Sequence, residues 1–136
     1  MEILDALMVV FTLETITMIL LGVFAGIIIG ALPGLTVNMG IALLLPLTYS
    51  FQGMTGILLL LGMYCGAVYG GSITAILIST PGTPASAATV LDGYPMAKKG
   101  EAGRALGLST MGSMFGGIFS TIALIVIAPQ LAKVAT

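Results

Sequence analysis

Long apolar runs without any charged residue dominate the pattern of this 136-residue chain. No Asp, Glu, Lys, Arg or His stands between Glu14 and Asp92. Helices of soluble proteins carry a polar face, so an uncharged stretch of this length does not fit a soluble fold. Each membrane crossing takes about 20 apolar residues. The pattern therefore predicts an all-α, polytopic membrane protein.

Four apolar segments follow from this pattern. Residues 15–32 and 55–79 each reach across a hydrocarbon core, since 18 helical residues rise roughly 27 Å. Residues 37–51 are short for a span, and the sequence leaves open whether they cross the membrane or re-enter on the same side. Residues 105–128 form the last predicted span, which Pro129 is expected to stop.

Three further features concern the surface and the packing of these helices. Residues 3–14 place apolar side chains at helical spacing between acidic residues, as a helix lying on the membrane surface does. The single cysteine, Cys65, is expected to be a small packing residue. Glycines at four-residue intervals predict close helix–helix contact. They are Gly22, Gly26 and Gly30 in one span and Gly62, Gly66 and Gly70 in another.

Two proline-glycine pairs interrupt the apolar runs, Pro33-Gly34 and Pro81-Gly82. Proline cannot continue a helix, and glycine gives the backbone conformational freedom. After the first pair, Thr36 stands where the N-cap of a new helix belongs. After the second, Thr83 is a preferred N-cap and Pro84 takes the first helical position. The sequence thus predicts two broken, discontinuous helices.

Broken helices suggest a binding site, because freed backbone groups in a membrane are tolerated mainly where they line a cavity. Helix carboxyl ends suit Na⁺, and helix amino ends suit carboxylates. We expect the two breaks to approach each other near mid-membrane and hold an anion. Plain structural kinks are the alternative. The candidate substrate-binding residues are Pro33, Gly34, Leu35, Thr36, Asn38, Ser72, Ser79, Thr80, Pro81, Gly82, Thr83 and Ser86.

Charge and composition set the orientation and exclude several functions. The segment 92–104 is predicted to be a cytoplasmic loop, because Lys98, Lys99 and Arg104 gather there. A net charge of −1 argues against nucleic-acid binding. There is no histidine, and the acids of this loop have no catalytic partner. The sequence predicts neither an enzyme nor a metal site.

Two segments resemble a known family, the large membrane subunit of tripartite tricarboxylate transporters (TctA). They are GALPGLTVNMGIALLLPLTY at 30–49 and YCGAVYGGSITAILISTPGTPASAATVLDGYPMAKKGEAGRALG at 64–107. The likeness covers nearly the whole chain from about residue 16 onward. Many members carry an acidic or a different polar residue after the second proline-glycine pair, where this chain has Thr83-Pro84. The shared elements are Pro33-Gly34-Leu35, Tyr69-Gly70-Gly71-Ser72, Pro81-Gly82 and the DGYPMA motif at 92–97.

The resemblance implies a secondary transporter of citrate-like or other carboxylate anions in a bacterial inner membrane, driven by Na⁺ or protons and without a cofactor. It also implies a small membrane subunit and a periplasmic solute-binding protein as partners, besides membrane lipid. Members are several times longer, so residues 1–136 are interpreted as the N-terminal portion of a permease domain, a fragment or a split gene product. A non-transporting assembly protein and a passive channel are the competing hypotheses.

Overall fold

The computed structural model describes residues 2–136 and shows only helices in that range. The predicted all-α class is therefore confirmed. Three helices, α2, α4 and α6, are long and apolar enough to cross a membrane. The helices are α1 (Glu2–Val10), α2 (Leu13–Ala31), α3 (Val37–Thr48), α4 (Thr55–Ile78), α5 (Ala87–Lys98) and α6 (Ala102–Ala135), with a 3-10 turn at Pro84–Ser86 before α5.

The surface helix predicted at 3–14 is shorter in the structure. Helix α1 ends at Val10, and Glu14 already belongs to α2. Thr12 makes the junction, because its hydroxyl donates to the Val9 carbonyl at 2.9 Å and accepts from the Thr15 amide at 3.4 Å. Helix α1 buries no residue against the rest of the chain.

Helices α2 and α4 pack along their glycine faces, and they run in the same direction. A Cβ added at Gly62 would lie 2.7 Å from the Ile19 carbonyl oxygen. Four residues further along α4, Gly66 faces Val23 in the same way. Moving four residues toward the carboxyl end of α4 thus moves the contact four residues toward the carboxyl end of α2, so the two helices are parallel. The backbones are in direct contact, as small-residue faces allow.

Because α2 and α4 are parallel, the chain between them must return to the level at which α4 starts, and α3 makes this return. The start of α3 lies near the end of α2, since Gly40 meets the Ile29 side chain. Its last residue, Thr48, packs on Gly56 at the start of α4. Twelve helical residues rise roughly 18 Å, which the flanking turns extend. The open question about residues 37–51 is answered by this geometry: the segment runs from the level of the first break back to the start of α4.

After α4 the chain first folds back alongside α4 and then runs outward again. The amide of Gly82 donates to the Gly71 carbonyl at 3.4 Å, although α4 continues to Ile78. Seven helical residues correspond to roughly 10 Å, so the chain has returned that far. Helix α5 then runs outward, because Gly93 packs on Ile76, further along α4. Residues 79–98 therefore form a re-entrant segment, the name used below.

Helix α6 closes the described structure and differs from its prediction. It begins at Ala102 and passes through Pro129 without stopping, so the expected end at 128 is wrong. Proline is tolerated here because a membrane helix can relax around the one lost hydrogen bond. Tyr69 and Thr110 share a hydroxyl hydrogen bond of 2.7 Å, which joins α6 to α4. Beyond its first turns α6 is exposed.

Two other expectations need correction. Residues 92–98 are not a loop but the second half of α5, so only residues 99–101 connect α5 to α6. Pro95 lies inside that helix, near its end, where one missing amide removes a single bond. Cys65 is exposed rather than packed, because it points away from the glycine face of α4.

Candidate functional site

The first break begins where α2 ends and is stabilised by local turns. The Leu32 amide bonds the Ile29 carbonyl at 3.2 Å, and the Leu35 amide bonds the Leu32 carbonyl. Gly34 has φ +94°, a conformation that other residues rarely adopt. Thr36 caps α3 as predicted, accepting from the Met39 amide at 3.3 Å. The proline-glycine pair therefore breaks the helix by the mechanism that the sequence indicates.

The second break turns the chain at Ser79, which ends α4 in the left-handed region with φ 58°. The Thr80 amide bonds back to the Thr74 carbonyl at 3.4 Å, and the Ser79 amide bonds the same carbonyl. Pro81 follows outside any regular element, and by Gly82 the chain has reversed its direction. This closed turn directs Gly82 inward along α4.

The 3-10 turn is the innermost point of the re-entrant segment. Thr83 and Ser86 are both buried, at 4% and 2% exposure. The Ser86 hydroxyl donates to the Thr83 carbonyl at 2.8 Å and accepts from the Thr83 amide at 3.3 Å. Pro84 occupies the first position of the turn, as predicted. These bonds satisfy one amide of the new helix start locally.

The two breaks lie at the same depth. Gly82 sits between α2 and α4, where a Cβ would collide with the Gly30 carbonyl oxygen and lie 2.9 Å from the Gly71 Cα. Gly30 is the second-last residue of α2, immediately before the first break. Gly71 also faces Thr83, whose amide would be 2.9 Å from an added Cβ. Three glycines thus let the second break contact the helix end that carries the first.

From this common depth two helices depart in opposite directions. Helix α3 runs toward the start of α4, and α5 runs toward its end. Their amino ends carry the positive ends of the helix dipoles, but within the described residues α3 contacts neither α5 nor the 3-10 turn. Within residues 15–91 there is no charged side chain. Backbone amides and hydroxyls are therefore the polar groups that the surroundings of the breaks offer.

The predicted site residues divide into three groups by position. Gly82, Thr83 and Ser86 are brought together on Gly71, while Ser79, Thr80 and Pro81 form the turn that leads to them. The first-break residues Pro33, Gly34, Thr36 and Asn38 are exposed and Leu35 is half-buried; within residues 2–136 no hydrogen bond joins them to the second break. Ser72 faces elsewhere, toward α5 and α6.

Comparison with known proteins decides the family. The profile of the tripartite tricarboxylate transporter TctA family matches residues 16–136, nearly the whole chain. This chain belongs to the TctA family. It is also 50% identical over 114 residues to an uncharacterized 52.8 kDa protein of the TAR-I ttuC' 3' region of Agrobacterium vitis. The match covers 84% of the chain and 23% of that protein, so the chain spans about a quarter of its relative. No solved structure matches.

The TctA-family chain has a second polar feature that the sequence reasoning missed. A cleft of about 430 Å³ opens between α4, α5 and α6. It is named the α4–α5–α6 cleft below. Thr89 and Asp92 of α5 stand at i, i+3 spacing, as do Ser109 and Gly112 of α6, which places each pair on one helix face. That spacing is a usable sequence signal, but the charges of segment 92–104 favour a loop, so the sequence pattern does not point to the cleft. The polar lining residues are Ser72, Thr89, Asp92, Ser109 and Ser113.

Proposed function

We propose that this chain is the N-terminal part of the membrane permease subunit of a tripartite carboxylate transporter. The observation that carries the proposal is the common depth of the two breaks, where Gly82 contacts the Gly30 backbone. Membership of the TctA family supports the transport class. Broken helices that meet inside a membrane are a recurring architecture for substrate sites in secondary transporters.

The physical case for an anionic substrate rests on the helix amino ends. Helices α3 and α5 start at one level and run apart, so both dipoles favour a negative charge between those starts. An anion here would be bound by amides and hydroxyls without a buried cation. Citrate-like tricarboxylates or related carboxylates, moved by a Na⁺ or proton gradient, are the substrates and the energy source that we propose.

Orientation and partners complete the proposal. Lys98, Lys99 and Arg104 support a cytoplasmic position for the end of α4 in a bacterial inner membrane. Because α2 is parallel to α4, the amino end of α2 faces the periplasm. A periplasmic solute-binding protein would deliver the carboxylate, and a small membrane subunit would complete the complex. Both partners are inferred from membership of the TctA family alone.

A structural role is the second candidate, and one observation favours it. The hydroxyl of Ser86 is engaged by Thr83 within the 3-10 turn, so it already has partners without any ligand. A turn stabilised this way could serve only to pack the re-entrant segment on Gly71. In that case the breaks would position α5 and α6 for assembly, without binding an anion.

Two conservative substitutions in the full-length permease test between these functions. Thr36→Val and Thr83→Val keep side-chain shape and remove a hydroxyl. If the hydroxyls bind a charged ligand, each change should weaken carboxylate affinity about tenfold, the effect of one such hydrogen bond. Isothermal titration with citrate measures this, and Thr83→Ser should restore affinity.

The matched control is Thr121→Val on α6, whose hydroxyl bonds the Gly117 carbonyl at 2.8 Å, remote from the breaks. The citrate affinity of the Thr121→Val permease should equal that of the unchanged permease. Unfolding by heat is followed for all variants, because loss of a cap lowers stability by about 1 kcal/mol. Normal affinity in both break variants, with reduced stability alone, would support the structural candidate and contradict carboxylate binding at the breaks.

A further inference from the structure

The α4–α5–α6 cleft differs chemically from the depth at which the breaks meet. It contains the carboxylate of Asp92 together with the hydroxyls of Ser72 and Ser109. A carboxylate repels carboxylate ligands at close range. The cleft is therefore unsuited to the anion proposed for the breaks, and its oxygen-rich lining suits a hard cation.

Asp92 is available for such a cation. Of the basic side chains near it, Arg104 pairs with Glu101 at 3.6 Å, and Lys98 lies over the Tyr94 ring, 4.9 Å from its centroid. Within residues 2–136 no ion pair involves Asp92. The carboxylate thus faces the cleft without a cationic side chain to neutralise it.

The hydroxyls of the cleft are also free of competing partners. Threonines on α6 bond their own helix, as Thr110 does to the Leu106 carbonyl at 2.8 Å. For Ser72, Ser109 and Ser113 no hydrogen bond is found within the described part of the chain. A serine hydroxyl oxygen has two lone pairs, and these can coordinate a cation. Three helices thus present neutral oxygen ligands to the same space as Asp92.

The charge of the cleft selects a monovalent ion. One carboxylate neutralises one positive charge, whereas a divalent cation would keep a surplus charge beside Asp92, which is itself exposed. Among residues 2–136 no three His, Cys, Asp or Glu side chains converge to hold a metal ion. The volume, about 430 Å³, has room for roughly a dozen waters, so the ion would keep part of its hydration.

The position of the cleft places such an ion beside the breaks. Asp92 is next to Gly93, which packs on Ile76 near the end of α4. Ser72 is four residues deeper, roughly 6 Å. Its neighbour Gly71 faces the 3-10 turn on another side of α4. Ala85 of the 3-10 turn also lines the cleft, so the cleft adjoins the second break.

We propose that the α4–α5–α6 cleft binds a monovalent cation, Na⁺ first, with Asp92 as its charged ligand and the Ser72 and Ser109 hydroxyls as neutral ligands. A cation there lowers the electrostatic cost of an anion beside the second break. This coupling role rests on the proposed carboxylate transport, whereas cation binding itself does not.

Radiolabelled Na⁺ binding to the purified chain, measured by scintillation proximity at constant ionic strength, tests the proposal. Unlabelled Na⁺ should displace the label, and choline should not. Asp92→Asn should weaken binding at least about tenfold, because the only charged ligand is lost. Ser72→Ala should weaken it less, about threefold. Glu14→Gln, which removes an exposed carboxylate outside the cleft, should bind as the unchanged chain does.

The outcomes separate the two proposals. Equal displacement by K⁺ would still support a monovalent site. Three results would overturn the proposed cation site. The first is the absence of saturable Na⁺ binding, and the second is stronger displacement by Mg²⁺ than by Na⁺. The third is undiminished binding in Asp92→Asn when circular dichroism shows unchanged helix content. Citrate titration of the full-length permease is the separate readout of transport function. Na⁺ binding without citrate binding contradicts only the proposed function, and citrate binding without Na⁺ binding contradicts only the cleft.

Discussion

Ser79 is the residue at which the chain changes from a continuous helix to a re-entrant segment. It is the only non-glycine residue with positive φ among residues 2–136. An L-residue in this region costs about 1–2 kcal/mol, and β-branched side chains fit worst. The surrounding turn maintains the strain, because the Ser79 and Thr80 amides both bond the Thr74 carbonyl.

Substitutions at Ser79 should therefore follow backbone preference. We expect Ser79→Val to be less stable than Ser79→Gly by about 1–2 kcal/mol, because only glycine adopts the left-handed conformation without strain. Equilibrium unfolding in mixed micelles, followed by circular dichroism, measures the difference. The control is Ser120 in α6, where valine should equal or exceed glycine because glycine is the poorer helix former. If the valine variant were at least as stable as the glycine variant at Ser79 too, Ser79 would not be strained.

Single residues also show what the sequence could predict. The caps at Thr36 and Thr83 follow from neighbours within three positions, so local chemistry was sufficient. The exposure of Cys65 and the position of Asp92 depend on which helix face meets which neighbour. Those facts need the tertiary arrangement, and an apolar pattern on all sides of α4 does not supply it.

At the scale of helices, the parallel pair α2–α4 depends on glycine. Gly26 lies against the Met63 and Ala67 backbone, where an added Cβ would be 2.8 Å from the Ala67 amide. By contrast, Gly116 in α6 has open space around it in the described chain. Two glycines in apolar helices are thus placed in opposite environments, which the four-residue spacing alone does not distinguish.

Alanine at these two positions should have opposite effects. Gly26→Ala should lower the free energy of unfolding by about 1–3 kcal/mol, because backbone atoms cannot move aside for the methyl group. Gly116→Ala should leave it unchanged or raise it by up to about 1 kcal/mol, through helix propensity. Unfolding of the purified chain in micelles compares them. Equal effects would show that α2 and α4 do not pack through this face.

Helix ends were predicted well where a break signal was joined to a cap, and poorly elsewhere. Pro129 and Pro95 both lie inside helices, since a proline removes only one hydrogen bond and membrane helices accommodate it. The charges of 92–104 suggested a loop, although a helix end carries charge equally well. The re-entrant path of residues 79–98 had no local signal beyond its turn.

On the scale of the whole molecule, the structure defines the directions in which the helices run relative to one another. Because α2 and α4 are parallel, α3 must cross between them, and the two breaks fall at the level of Gly71. That level is roughly 10 Å from the end of α4 and roughly 22 Å from Gly56 near its start. The breaks therefore lie roughly 7 Å from the middle of α4, displaced toward the proposed cytoplasmic end, whereas the sequence predicts a position near mid-membrane.

These directions predict which connections face each side of the membrane. Gln52 lies between α3 and α4, and Lys99 lies between α5 and α6. In a Cys65→Ala background, needed because Cys65 is exposed, Gln52→Cys should react with a membrane-impermeant thiol reagent added to intact spheroplasts. Lys99→Cys should resist it, because basic loops stay in the cytoplasm.

Permeabilised spheroplasts supply the control, since both cysteines should then react to the same extent. If residues 79–98 crossed the membrane instead of re-entering, Gln52→Cys and Lys99→Cys would face the same side and would be labelled alike in intact spheroplasts. If only Lys99→Cys reacted from outside, the re-entrant path would stand and the orientation would be reversed. The packing of α5 on α4 allows only opposite labelling, because Gly93 lies against Ile76 near the end of α4, so the re-entrant segment returns the chain to the side on which α4 ends.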